Sequence, residues 1–114
     1  YIETHDLCIV LSNLLDNAID ACKKIESGDR FINLSIICKK EMFIISIVNN
    51  FACEPIRKDK KFLTQKANNE FHGIGLKNVE NSVNKYNGYM DIDIKENTFK
   101  VDVVMYNAKT AILV

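Results

Sequence analysis

Asn13-Leu14-Leu15-Asp16-Asn17-Ala18-Ile19-Asp20-Ala21-Cys22 is the stretch on which the reading of this chain turns. It lies inside a helical pattern predicted from about Thr4 to Glu26, in which Leu7, Leu11, Leu14, Leu15, Ala18, Ile19, Cys22 and Ile25 recur at helical spacing. Gly28 stands in a good stop position. Asn13, Asn17 and Asp20 fall at i, i+4 and i+7. At ~100° per residue they occupy a sector of roughly 60° on one face. Asparagine is a poor helix former, and two on one line add nothing to core packing. A solvated stripe explains any one of the three alone; the three together point to a site. An Asn side-chain oxygen is a neutral hard ligand of the kind that suits magnesium–phosphate, where few protein groups hold the metal and phosphate oxygens and water complete the octahedron.

Outward from that helix, Phe31–Cys38 and Met42–Val48 read as two strands joined by a short turn at Lys39-Lys40-Glu41. The stretch from Asn50 to Phe71 is polar and carries the single proline, Pro55, with the charged run from Arg57 to Lys61. So long a connection in a small domain is uncommon and is often a functional lid. A second helix is predicted over Gly75–Tyr86, ending near Asn87-Gly88, then strands at Tyr89–Ile94 and Phe99–Tyr106 that turn at Glu96-Asn97. Helices grouped on one face of a mainly antiparallel sheet make an α/β two-layer sandwich.

His72-Gly73-Ile74-Gly75-Leu76-Lys77-Asn78-Val79 opens the second helix. The glycines allow close backbone approach, and a helix start offers unpaired N–H groups and the positive end of its dipole, which together form a phosphate cradle. A bare G-x-G is weak and a loop-to-helix turn explains it nearly as well; the asparagine stripe in the same small domain gives it weight. With 114 residues the chain has room for one domain and one modest core. Fifteen basic residues balance fifteen acidic ones, which speaks against a general nucleic-acid binder and leaves room for a local anion site. No apolar run approaches the ~20 residues that span a bilayer. Cys8, Cys22, Cys38 and Cys53 form no C-x-x-C pair; the first three lie in apolar stretches and are expected to be reduced core thiols, while two histidines are too few for a metal cluster.

These segments resemble the boxes of the GHKL superfamily of ATP-binding domains, to which histidine kinases, type II topoisomerases, Hsp90-type chaperones and MutL-type repair proteins belong. Asn13–Ala21 is similar to the N box and His72–Val79 to the second glycine box. The end of the chain, from Lys85-Tyr86-Asn87-Gly88 through Phe99, also looks like the close of such a domain. The resemblance covers nearly the whole chain, residues 1–114 as one catalytic domain with a lid at about 50–72. It looks closest to the quorum-sensing-type sensor kinases of Gram-positive bacteria, whose lid Thr64-Gln65-Lys66 resembles. It implies a Bergerat-type fold, with helices on one face of a mixed, mainly antiparallel sheet, and ATP with Mg²⁺ as ligands. Carried across, Asn17 is the magnesium ligand and Asn13 faces the nucleotide one turn earlier, where ATP-hydrolysing branches carry a glutamate base. An amide cannot serve as that base, which favours a kinase, since an acceptor imidazole already offers a lone pair. Asp20 orients water or metal; Lys66, His72 and Gly73-Ile74-Gly75-Leu76 meet the phosphates, with exposed loop polarity the competing reading of Lys66 and His72.

The adenine box departs from the family's D-x-G-x-G, reading Asn49-Asn50-Phe51-Ala52-Cys53. Asn49 replaces an aspartate that accepts a hydrogen bond from the adenine amino group, and an amide oxygen can still accept one. A plain strand-end turn residue is the competing reading of Asn49. The resemblance implies transfer of the ATP γ-phosphoryl to a histidine on a separate dimerisation and phosphoacceptor domain, with His5 not the acceptor. It further implies a response regulator as partner, a monomeric isolated domain, a homodimeric whole protein, and a cytoplasmic position in a membrane-anchored kinase. A non-enzymatic nucleotide-sensing or interaction module, and a GHKL-type ATPase, are the alternatives.

Overall fold

A computed structural model describes residues 2–52 and 74–106. Two helices and four strands occur along these residues: α1 (Thr4–Lys23), β1 (Ile32–Lys39), β2 (Met42–Asn50), α2 (Ile74–Asn84), β3 (Tyr89–Lys95) and β4 (Thr98–Tyr106). The strands form one sheet in the order β1-β2-β4-β3, and all three pairings are antiparallel. Both helices lie on one face, so the architecture is the expected two-layer sandwich.

Alternation along the strands selects that face. Ile45, Ile47 and Asn49 of β2 sit opposite Val103, Val101 and Phe99 of β4, and all six are buried. They meet Val10, Leu14, Ala18 and Ala21 of α1 and Leu76, Val79 and Val83 of α2 in one core. The other sheet face is polar at its centre, where Ser46 donates to Asp102 at 2.6 Å. α1 lies over β2, while α2 lies over β3 and β4.

The turns follow local chemistry. The hairpin between β1 and β2 closes through Lys40-Glu41, with Lys40 at φ 56°, and that between β3 and β4 through Glu96-Asn97, with Glu96 at φ 51°. α2 ends in a Schellman arrangement: the Gly88 N–H donates to the Val83 carbonyl at 3.1 Å and the Asn87 N–H to Asn84 at 3.3 Å, with Asn87 left-handed at φ 56°. Gly88 is required for a different reason. A Cβ there would lie 1.8 Å from the Val104 carbonyl oxygen, so only glycine lets the chain pass β4.

Several expectations need adjusting. α1 stops at Lys23, before the predicted Glu26, because Lys24 and Ile25 turn back to Ala21 and Cys22 in shorter-range bonds. Both hairpins are longer than read: β2 runs on through Asn49 and Asn50, because both pair with β4. Of the cysteines expected in the core, Cys22 is buried but Cys8 and Cys38 are exposed. Apolar neighbours in sequence did not place those two inward, since Cys8 lies on the outer flank of α1 and Cys38 on the edge strand. Cys53 lies outside the described residues.

Candidate functional site

The two helices run antiparallel, and their shared ends differ in chemistry. At one end Asp6 of α1 is 2% exposed and meets α2's C-terminus. Lys85 Nζ donates to its two oxygens at 3.0 and 3.2 Å, and the Tyr86 hydroxyl donates to Oδ2. The Glu3 N–H donates to that hydroxyl at 3.1 Å, so the first free N–H of α1 is satisfied through tyrosine. The bonds from Tyr86 and Lys85 hold the Asp6 carboxyl below the usual carboxylate range, against the opposing effect of burial. Burial, then the bond to Asp6, pushes the Tyr86 phenol up, and the bond to Asp6 raises Lys85. This cluster was not foreseen: in sequence Asp6 and Lys85 are unremarkable charges 79 positions apart.

From that clasp α2 runs back to its N-terminus beside Asn13, at the middle of α1. A Cβ added to Gly75 would lie 3.2 Å from Asn13 Oδ1. Asn13 Nδ2 donates to the Ile9 carbonyl at 2.8 Å, one turn earlier. Only the amide nitrogen can face a carbonyl, so this bond fixes which end is which and turns the oxygen toward α2. Asn13 and Asn17 are half-buried and Asp20 is exposed, which sets the stripe at the rim of the core and not within it. Asn17 lies one further turn along α1, ~6 Å past Asn13 and beyond the end of α2. The first turn of α2, whose N–H groups have no partner within the helix, therefore lies alongside the stripe. Of the glycine-box residues, Ile74 is exposed, Gly75 half-buried and Leu76 in the core. Lys66, His72 and Gly73 lie outside the described residues, as does the expected lid except its first positions, where Asn50 ends β2 and Phe51 is buried in the core.

Asn49 ends β2 on the core side and is 1% exposed. Its Nδ2 donates to the Asn50 carbonyl at 2.8 Å, which leaves the oxygen as the end a ligand could reach. Asn50, the position after it, was not singled out from sequence and does more visible structural work. Its Oδ1 accepts from the Phe31 N–H at 3.0 Å and its Nδ2 donates to the Asp29 carbonyl at 2.7 Å. The side chain thereby extends the β1–β2 ladder past the end of the strand. Where the family pattern has a glycine, Phe51 is buried and belongs to the core. An open cavity of about 710 Å³ borders Asn50, Phe51, Lys24 and Asp29 but includes neither Asn13 nor Asn17. That cavity therefore does not point at the stripe, which is marked by its chemistry and not by concavity.

A two-layer sandwich with a polar stripe on its first helix and a glycine turn opening its second defines the class of nucleotide-binding domain that the motifs suggested. The chain belongs to the GHKL domain family, whose profile matches residues 2–106. It is 29% identical over 98 residues to a probable C4-dicarboxylate sensor kinase of Bacillus subtilis, covering 82% of this chain and 18% of that protein. Among solved structures it resembles the catalytic domain of the histidine kinase ThkA, with a TM-score of 0.64 at 19% identity, over 93% of this chain and 68% of that one. It also resembles the histidine kinase domain of a blue-light activated kinase from Erythrobacter litoralis, with a TM-score of 0.67 at 13% identity, over 95% and 49% of the two chains. At those identities the structures establish the fold.

Proposed function

We infer that this chain is the ATP-binding catalytic domain of a two-component sensor histidine kinase. The observation that carries the reading is the stripe Asn13–Asn17–Asp20, placed beside the start of α2 in a GHKL domain, with an amide where a hydrolytic enzyme needs a carboxylate base. Asn17 offers a half-buried neutral oxygen on a rigid helix, which fits one protein ligand to Mg²⁺; bound with ATP, the metal would neutralise phosphate charge. Asn13, oriented by its bond to Ile9, faces the nucleotide. The Asn49 oxygen accepts from the adenine amino group, and the first turn of α2 with Lys66, His72 and Gly73 receives the phosphates. The domain's contribution is positioning and charge stabilisation, as phosphoryl transfer generally requires. The acceptor histidine lies on a dimerisation domain of the same protein, and a response regulator takes the phosphoryl group onward. The whole protein is a membrane-anchored homodimer of the Gram-positive quorum-sensing type, with this domain in the cytoplasm.

The test is to combine the chain with the acceptor-bearing helices of its parent protein and labelled ATP. An acid-labile, base-stable phosphoprotein is expected. Sustained phosphate release by the domain alone, abolished by Asn13→Ala, would instead identify an ATPase. The buried Phe51 in place of a glycine favours one rival, a nucleotide-sensing module: tight nucleotide binding without any phosphohistidine would establish it.

A further inference from the structure

Strand β1 ends the sheet, and its outer edge is unpaired among the described residues. Eight residues long, it has no proline and one charge, Lys39, so it lacks the usual devices that keep an edge from pairing. α1 covers β2 and approaches β1 only at its start, where Cys22 donates to the Phe31 carbonyl and Ile32 packs against the core. Large apolar side chains are consequently left in solvent on both faces: Leu34 at 42% and Ile36 at 46% on the helix side, Ile37 at 50% and Phe31 at 38% on the other. That is four of the seven large apolar residues exposed anywhere in the described chain.

We propose that β1 pairs antiparallel with β1 of a second copy of this chain, about a twofold axis through Leu34, joining two sheets into one of eight strands. The Phe31 N–H turns toward Asn50 on β2, so by the two-residue period the N–H and C=O groups of Ile32, Leu34 and Ile36 face the open edge. A twofold through Leu34 lets Leu34 exchange both backbone bonds with its own copy, and Ile32 exchange them with Ile36. On the opposite face, Phe31 then meets Ile37, and Asp29 meets Lys39, each twice. All four exposed apolar side chains find an apolar partner, and the charges at both ends are opposite in sign. Neighbouring registers fail this test. An axis through Ser35 sets Lys40 against Arg30 and Glu41 against Asp29; an axis through Ile36 sets Lys40 against Ile32 and Glu41 against Phe31. The end of the edge is also fixed in advance, because Asn50 holds both the Asp29 carbonyl and the Phe31 N–H. The pairing rests on β1 alone and is independent of the nucleotide reading. It goes beyond the monomer that the family resemblance implies for the isolated domain.

Sedimentation of the 114-residue chain up to about 1 mM, the effective concentration a tether supplies within one protein, tests it. The expected result is a monomer–dimer equilibrium within that range. Leu34→Lys, which sets two ammonium groups at the axis, should leave only monomer. Lys39→Asp should weaken association at least tenfold, and adding Asp29→Lys to it should restore wild-type association. Leu34, Lys39 and Asp29 are all exposed, and the charge swap stands even if Leu34→Lys folds poorly. A wild type that stays monomeric throughout, a dimer indifferent to these changes, or a double swap that fails to restore it would overturn the proposal.

Discussion

The two places where α1 and α2 meet are built on opposite principles. At the clasp the polar groups bond to one another: Asp6 takes bonds from Lys85 and Tyr86, Tyr86 takes the Glu3 N–H, and the turn at Gly88 packs against β4. At the other meeting point Asn13 and Asn17 are half-buried, Asp20 is exposed, and the start of α2 presents N–H groups that no helix turn can satisfy. One end holds the helices in register; at the other, in the function proposed above, that register places polar groups for a ligand. If this division is right, changes at the clasp act on stability first, and changes at the stripe act on binding with little cost to the fold.

The largest stability effect should come from Gly88→Ala. Its Cβ would meet backbone atoms of Val104 at 1.8 and 2.8 Å, which no rotamer change relieves. A loss of about 3 kcal/mol or more is expected in urea unfolding, enough to unfold a marginal domain. A loss under about 1 kcal/mol would show that the passage past β4 is looser than described.

Next comes Asp6→Asn, which keeps the shape of the clasp and removes its charge. The native carboxyl titrates below its unfolded value, so its contribution is present above about pH 4 and is lost as the pH falls through the lowered native value. The gap in melting temperature between wild type and variant should hold steady through neutral pH and close in acid. A gap that does not change down to the lowest pH at which both fold would mean the charge contributes nothing.

At the stripe the pattern should invert. Asn17→Ala should change unfolding free energy by less than about 1 kcal/mol while weakening magnesium-dependent nucleotide binding tenfold or more. Gly75→Ala should have the smallest effect on stability, because the helix propensity gain of about 1 kcal/mol offsets the 3.2 Å contact with Asn13 Oδ1. It should nonetheless weaken nucleotide binding a few-fold by shifting Asn13, as a titration beside a thermal melt would reveal.

Much of this was legible in the sequence because periodicity reports directly on burial. The stripe, both helices and all four strands were read in the right order, the helices and β2–β4 from the period their burial requires and β1 from its run of Ile and Leu alone, since it is exposed along nearly its whole length. Strand order, the free edge at β1 and the exposure of Cys8 and Cys38 were not legible, because they depend on which elements lie beside which. The clasp was hidden for the same reason, its members lying at opposite ends of the chain. Asn50 was hidden differently: its neighbour Asn49 drew the motif's role, and nothing in residue type shows that a side chain will stand in for backbone. Helical spacing picked out the stripe as a candidate site, and the resemblance added separate roles for Asn13 and Asn17, which remain part of the proposed function.

The most direct test of the central claim is a calorimetric titration of ADP into the wild type, Asn17→Ala and Asp6→Asn, with and without magnesium. Magnesium-dependent binding by the wild type is expected, with a tenfold or greater loss in Asn17→Ala, about 1.4 kcal/mol, and near-wild-type affinity in Asp6→Asn. No binding by a folded wild type at millimolar nucleotide, or equal loss in both variants, would contradict the assignment of the nucleotide to the stripe.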